Sequence, residues 1–272
     1  MDRSRRNRIQ TALTGLALPA FVFGIAAAPA TASAQAQSKQ NPPVAAAPAQ
    51  PKADPAEEAA YKAFYDAPEQ DLDKKISLGE DFVQKYPSSK YDETVYAMLV
   101  QAYLNKQDWA KFYNSADNAL AIDPDNVGVL TTVGWVIPHT YNPSDPDAAA
   151  KLDKAEKYEK HSIEVLGTLP KPVNMTDEQF AASKGEELSQ AHSGLGLVYF
   201  RRQQFDESSK ELQQATQAAA HPDPTDFFIL GVDDENLKHN DDAVAAFDKC
   251  AAIPGGLQDR CKQESDKVKK AK

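Results

Sequence analysis

Residues 193–208 read SGLGLVYFRRQQFDES, and the two glycines near the start of this stretch decide the fold. A glycine pair before an apolar run occurs in dinucleotide-binding loops, but that fingerprint needs a third glycine and a preceding strand. Tyr199 stands where the third glycine would be, and we find no strand pattern before the glycines. We therefore interpret Gly196 as a packing residue at a close approach of two helices, and we exclude a nucleotide site.

The pattern around Gly196 returns elsewhere in the chain. Each copy has a large residue, then an aliphatic one three residues later, then a small or aliphatic one. The aligned segments are YAMLVQAY (96–103), LTTVGWVI (130–137), HSGLGLVY (192–199) and FFILGVDD (227–234). Ser208 follows Gly196 by twelve positions, and Ala243 follows Gly231 by the same number. Small residues at this spacing allow two helices to approach closely, while the larger ones fill the gap between them.

These spacings resemble the tetratricopeptide repeat, a helix-turn-helix unit of about 34 residues. The resemblance implies an all-α solenoid of antiparallel helix pairs, with repeats at about 93–126, 127–169, 189–222 and 224–254. We expect a degenerate helix pair at 56–90 and a C-terminal capping helix at 257–272. A longer turn interrupts the second repeat, and Thr176 with Gln179 forms a capping box that begins a helix leading into the third. The marker tryptophan is missing, and Phe112 replaces the expected small residue of the first repeat.

The first 34 residues have the pattern of a secretory signal peptide. Four arginines precede an apolar stretch, and Ala32 and Ala34 form an A-x-A cleavage site. We expect cleavage after Ala34 and a periplasmic or secreted protein without stable membrane insertion; a retained anchor at 11–28 is the alternative. Residues 35–55 are rich in Ala, Pro and Gln, and we interpret them as a disordered tether.

The chain is acidic, with a net charge of −10 that becomes more negative once the arginine-rich segment is removed. This charge disfavours binding to nucleic acid and to anionic lipid surfaces. The histidines show no metal-ligand or catalytic spacing, and DPDNVG (123–128) lacks the ligands of a calcium loop. We therefore expect no metal, no cofactor and no enzymatic activity.

The chain has two cysteines, Cys250 and Cys261, on either side of a turn that contains Pro254 and two glycines. In a secreted protein such a pair favours a disulfide, which would stabilise the C-terminal cap. The alternative is that Cys250 is a small core residue, because the tetratricopeptide family usually has alanine at that position.

The resemblance also implies a binding surface. In this family, peptides contact the first helix of each pair, which lines the concave side of the solenoid. By their offset from the glycine marker, the corresponding residues are Gln101, Asn105, Trp135, His139, Phe200, Arg201, Phe228 and Asn236. Trp135 and Phe228 are candidate aromatic anchors, unless the insertions at 138–150 and 170–187 cover them. The clamp of lysines and asparagines with which some members bind a C-terminal carboxylate is absent.

Two hypotheses for function follow. The first is a non-enzymatic adaptor of the cell envelope that binds a protein or peptide along its groove. The second is an accessory subunit of an envelope enzyme or of a transport or assembly complex, docking through its convex face and insertions. A binder of small molecules or polysaccharide is a third class, which ligand-dependent thermal stabilisation would support.

Overall fold

A computed structural model of the protein describes residues 54–271, so the predicted signal peptide and nearly all of the predicted tether lie outside the described residues. Within this range the chain forms eleven α-helices and no strand, which confirms the predicted all-α fold. The helices are α1 (Pro55–Tyr65), α2 (Leu72–Lys85), α3 (Asp92–Lys106), α4 (Trp109–Ile122), α5 (Val127–His139), α6 (Ala148–Thr168), α7 (Asp177–Arg201), α8 (Phe205–Ala218), α9 (Pro224–Leu237), α10 (Asn240–Ala252) and α11 (Gln258–Lys270).

Consecutive helices pack as helix-turn-helix pairs. The pairs α3/α4, α5/α6, α7/α8 and α9/α10 overlap the four predicted repeats, although α7 begins at Asp177, ahead of the predicted start at about 189, and α1/α2 precede them. Each pair contacts the next: α7 packs on both α5 and α6, and α9 packs on α8. The last helix, α11, packs on α10 as a terminal cap. Contacts between successive pairs define a solenoid, in which stability comes from each pair and its interfaces with its neighbours.

Side-chain caps begin six of the helices within residues 54–271. The capping side chains, each accepting a hydrogen bond from a backbone N–H of the first turn, are those of Asp54, Asp71, Asp108, Asn126, Thr176 and Asp223. At Thr176 the side chain of Gln179 bonds back to the cap residue, which confirms the predicted capping box. Such a cap stabilises a helix by about 1 kcal/mol.

A residue with positive φ ends the first helix in three of the four repeats in the described part of the chain. These residues are Gln107 (φ 57°), Gln203 (φ 62°) and Lys238 (φ 66°). In the first of these turns the N–H of Asp108 donates to the carbonyl of Tyr103 at 3.0 Å, so the helix closes and the chain reverses within two residues. The second repeat lacks this turn, because residues 140–147 separate α5 from α6.

Glycines bring the first and second helices of a pair close together. A methyl group at Gly196 would lie 2.7 Å from Cγ of Leu212 on α8, and one at Gly231 would lie 2.7 Å from the Phe247 ring on α10. Gly196 lies inside the continuous helix α7. The interpretation of Gly196 as a packing residue is confirmed.

The described residues form two clusters of buried side chains. One cluster draws on α1 to α7 and includes the fully buried Phe112; the other draws on α7 to α11. The second contains Cys250 and Cys261, which the structure joins in a disulfide between α10 and α11, with their Cα atoms 5.8 Å apart. Among the helices of residues 54–271, none has the length and apolar character needed to cross a membrane.

Candidate peptide-binding groove

The eight predicted groove residues lie on the first helices of the four repeats. They are Gln101 and Asn105 on α3, Trp135 and His139 on α5, Phe200 and Arg201 on α7, and Phe228 and Asn236 on α9. The aromatic and polar members of this set have very different exposure. All eight lie on first helices, as the repeat offset predicts, but their exposure to solvent differs from residue to residue.

The three aromatic members are buried. Trp135 is 5% exposed, Phe228 2% and Phe200 0%. The ring of Phe228 packs against that of Phe247, with centroids 5.6 Å apart, and the guanidinium carbon of Arg260 lies 4.8 Å from its centroid. In this conformation the three rings contribute to the core. Arg260 on the terminal helix lies over the ring of Phe228, and the role of Phe228 as an anchor stays a prediction.

The polar members keep contact with solvent. Asn105 is exposed, and Gln101, His139, Arg201 and Asn236 are half-buried. The side-chain amide of Asn236 donates to the carbonyl of Val232 at 2.7 Å, which holds it against its own helix. These amides and the guanidinium supply both donors and acceptors, the groups needed to bind the backbone of an extended peptide.

Residues from two successive repeats meet at the C-terminal ends of α5 and α7. The ring of His139 lies against that of Trp135, with centroids 3.6 Å apart, and its Nδ1 is 2.7 Å from the Trp135 carbonyl oxygen. Nε of Arg201 donates to the carbonyl of Pro138 at 2.9 Å, and the guanidinium carbon lies 5.6 Å from the centroid of Tyr141. The structure thus brings together His139 and Arg201, which the sequence placed in the groove only by repeat offset.

Burial sets the charge of this cluster. Burial lowers the pKa of His139 to about 4, so the imidazole is neutral at physiological pH. Burial also lowers the pKa of Arg201 to about 10, which still leaves the guanidinium charged at neutral pH. The cluster therefore presents the positive charge of Arg201 beside neutral aromatic rings, with the carboxylate of Asp223 close enough to act on His139. A partly buried guanidinium of this kind forms strong hydrogen bonds with carboxylate and carbonyl oxygens.

A pocket that the sequence analysis missed lies at the long turn of the second repeat. It has a volume of about 230 Å³, and three aromatic side chains, Trp109, Tyr113 and Tyr141, contribute to its lining. Asp145 at its rim accepts a hydrogen bond from Lys151 at 3.1 Å, which ties the turn to α6. The sequence signal for the pocket was the inserted segment itself, although nothing in its composition indicates that aromatic rings enclose a space there.

Metal-binding groups are not brought together in the part of the chain that the structure describes. No cluster of three or more His, Cys, Asp or Glu side chains is placed to hold an ion within residues 54–271. His161 and His192 each face a single carboxylate, Asp125 and Glu211 respectively, at 2.7 Å. His192 lies at a repeat marker and connects α7 to α8 through Glu211.

Comparison with known proteins addresses the fold. No family model and no curated protein matches the chain. Among solved structures the chain is similar to PilW, described as a widely conserved type IV pilus biogenesis factor, with a TM-score of 0.55 and 15% identity over 79% of this chain and 87% of PilW. It is also similar to TTC0263, a tetratricopeptide-repeat protein of Thermus thermophilus, with a TM-score of 0.50 and 15% identity over 78% of this chain and 98% of that protein. These likenesses, together with the repeat spacing and the stacked helix pairs, show that the chain has the fold of the tetratricopeptide-repeat proteins.

Proposed function

We propose that the protein is a non-enzymatic scaffold that binds a protein or peptide partner along the first helices of its solenoid. The observation that carries this proposal is the series of solvent-contacting polar side chains on successive first helices: Gln101, Asn105, His139, Arg201 and Asn236. Stacked helix pairs offer an extended surface of this kind, which suits a chain-like ligand. The tetratricopeptide fold of the structural neighbours supports a role in protein–protein interaction.

Arg201 is the centre of the proposed contact surface. Its guanidinium is held in place by the carbonyl of Pro138 and the ring of Tyr141, so little side-chain entropy is lost when it binds a partner. Because the guanidinium is partly buried and charged, it favours a carboxylate or a backbone carbonyl of the partner. The amides on the first helices α3 and α9 suit backbone hydrogen bonds to other residues of an extended partner.

The proposed location is the periplasm or the extracellular space, after cleavage following Ala34. Support comes from the signal-peptide pattern of residues 1–34 and from the bond between Cys250 and Cys261, since disulfides persist in oxidising compartments. Similarity to PilW, a type IV pilus biogenesis factor, is compatible with an envelope protein. At 15% identity it does not extend to a role in pilus assembly.

The second candidate function is that of an accessory subunit which docks through its insertion. The pocket between α4 and the long turn favours this hypothesis, because aromatic side chains such as Trp109 and Tyr141 are the residue types that dominate interface energetics. The two candidates use different surfaces of the same solenoid, so an experiment that resolves the position of the partner distinguishes them.

The test is position-resolved photocrosslinking in intact cells. Truncating Trp135 or Phe228 would remove core side chains and confuse loss of binding with loss of folding, so the crosslinker is placed at exposed residues instead. Asn105 reports on the groove, Asn142 on the long turn, and Lys210 on the second helix of the third repeat as a control. If a protein is crosslinked reproducibly from Asn105 but not from Lys210, the scaffold hypothesis is supported. Capture from Asn142 alone supports the accessory subunit and contradicts the groove.

A further inference from the structure

Two acidic residues are buried at the joint between the second and third repeats. Glu159 on α6 is 0% exposed, and Glu187 on α7 is 9% exposed. Neither takes part in the proposed contact surface, and a buried carboxyl group is costly unless it is neutral or fully hydrogen-bonded. Their placement therefore requires an explanation of its own.

The carboxyl group of Glu159 fills a space left by two glycines. A methyl group at Gly134 on α5 would lie 2.5 Å from Cδ of Glu159, and one at Gly194 on α7 would overlap its Oε1. Three helices from two repeats therefore pack around this one carboxyl group. The hydroxyl of Ser162 donates to the Glu159 backbone carbonyl at 2.8 Å and lies 3.5 Å from Oε2. Oε1 has no hydrogen-bond partner among residues 54–271.

Glu187 is also buried and lies two turns before Gly194 on α7. Its Oε2 is buried and also lacks a hydrogen-bond partner in the described part of the chain. Its neighbour Glu186 is exposed, and there the carboxylate accepts a hydrogen bond from the N–H of Ala220 at 3.2 Å. Two adjacent glutamates on one helix thus differ in burial and in hydrogen bonding.

Among the described residues, no Lys, Arg or His side chain forms an ion pair with either buried carboxyl group. Ser162 and Glu187 are the groups that act on Glu159, while burial alone acts on Glu187. Four titratable groups on the helices around α7 contact other residues instead: Glu156 of α6 contacts Arg202, Glu211 of α8 contacts His192, Asp226 of α9 contacts Ser193, and His139 of α5 contacts Trp135.

Burial raises the pKa of Glu187 from 4.5 to about 7. Burial also raises the pKa of Glu159 well above its ordinary value of 4.5, with the charge of Glu187 adding to the effect and the Ser162 hydrogen bond opposing it. A carboxyl group whose pKa is raised by folding binds its proton more tightly in the folded state. Its contribution to stability is therefore complete below pH 4.5 and is lost as the pH rises through the folded pKa, which for Glu187 is near neutrality.

We propose that Glu159 and Glu187 form a proton-dependent latch between the second and third repeats. With both carboxyl groups protonated, α6 packs against α5 and α7; when the protons pass to solvent in mildly alkaline conditions, the unpaired charges loosen that joint. Because His139 and Arg201 lie on α5 and α7, loosening of the joint also separates the two halves of the contact cluster. The latch itself does not depend on the proposed function.

Hydrogen exchange of the full-length protein at pH 5.5 and pH 8.5 tests the latch. Protection factors, corrected for the intrinsic exchange rate, are compared for peptides from α6 and the first half of α7. For Glu187 alone, a shift from 4.5 to about 7 predicts a fall in protection of roughly ten- to thirtyfold between the two pH values. Buried acids on α9 (Asp226, Asp233 and Asp234) also have raised pKa values because of burial, so whole-protein melting cannot replace peptide resolution.

The variant Glu187→Gln has the size and neutrality of the protonated acid, and Glu186→Gln on the same helix is the matched control. We expect Glu187→Gln to reduce the pH dependence in α6 and α7, leaving the part that comes from Glu159, and Glu186→Gln to keep all of it. Equal pH dependence in both variants, or unchanged wild-type protection between the two pH values, would overturn the proposal. Glu159→Gln is the second variant. If neither Glu187→Gln nor Glu159→Gln has the wild-type circular dichroism spectrum at pH 5.5, the proposal is also wrong, because it requires that a neutral side chain of this shape fits both positions.

Discussion

The close approach at Gly196 gives the most specific prediction about the packing of the solenoid. In the variant Gly196→Ala, the new methyl group would lie 2.7 Å from Cγ of Leu212, 2.8 Å from its Cδ2 and 3.4 Å from its backbone nitrogen. Ordinary contact begins at 3.4 Å, so either the buried Leu212 side chain has to move by about 0.7 Å or α8 has to retreat by that distance. Overpacking of this kind costs about 1–3 kcal/mol.

Helix propensity acts in the opposite direction, since alanine is favoured over glycine within a helix by about 1 kcal/mol. We therefore expect Gly196→Ala to lower the free energy of unfolding by up to about 2 kcal/mol relative to wild type, and by about 1–3 kcal/mol relative to a variant that gains the same helix propensity without the clash. Gly167→Ala is the matched control: Gly167 also lies within a helix, α6, and a methyl group there would meet nothing within 4 Å. This control variant should be as stable as wild type or more so.

Urea unfolding followed by circular dichroism at 222 nm measures both variants against wild type. Because repeat arrays can unfold in parts, midpoints are compared only where the slopes agree. If Gly196→Ala is as stable as Gly167→Ala, the glycine is not required for the contact between α7 and α8. The packing explanation for the sequence pattern would then be wrong.

Three further predictions concern the cap, a turn and an ion pair. Replacing Cys261 by Ser removes the bond to Cys250 and should lower the free energy of unfolding of the α10/α11 end by about 2–3 kcal/mol, because an eleven-residue separation is no longer crosslinked; a urea midpoint equal to that of oxidised wild type would contradict this. Replacing Lys238 by Gly should raise the free energy of unfolding by about 0.5–1 kcal/mol, because glycine adopts the positive φ of 66° without steric cost. The melting temperature should rise accordingly, and Lys238→Ala should give no such increase. Although burial opposes it, hydrogen bonds from Arg202 and Lys160 lower the pKa of Glu156 to about 2. As the pH falls from 4.5 to 2, wild type should therefore lose more stability than Glu156→Gln; identical acid unfolding curves would show that the ion pairs contribute nothing.

The features that could be predicted from the sequence are those set by local spacing. The twelve-residue interval from Gly196 to Ser208 predicts a helix-turn-helix unit, because it requires one tight turn and two helices that touch at small residues. The capping box at Thr176 is equally local, since both of its hydrogen bonds lie within one helical turn. For this reason the all-α class and the beginning of α7 can be predicted from the amino-acid sequence.

The burial of Phe228 and Trp135 could not be predicted in the same way. A repeat offset places a residue on a helix, but it does not say which later segment returns to cover it. Arg260, which lies against the ring of Phe228, belongs to the terminal helix and is 32 positions further along the chain. Exposure in a solenoid therefore depends on contacts between units, and the repeat pattern describes only the units.

The pocket and the buried acids depend on contacts that span several elements. Tyr141 enters the pocket because of the path that the turn 140–147 takes between α5 and α6, and that path has no repeat pattern. Glu159 lies in a helix whose many charged residues predict exposure. It is nevertheless fully buried, because Gly134 and Gly194, on two other helices, leave room for its carboxyl group.

The central claim is that the first helices of the solenoid bind a protein partner. The most direct measurement is the affinity of the crosslinked partner for purified wild-type protein, for an Asn105→Arg, Asn236→Arg variant, and for Lys210→Glu on a second helix. Each variant is first shown to retain the wild-type circular dichroism spectrum and melting temperature. We predict that Kd rises at least about tenfold in the double variant, a loss of about 1.4 kcal/mol, and stays at the wild-type value in Lys210→Glu. Equal Kd for the double variant and wild type would contradict binding along the first helices.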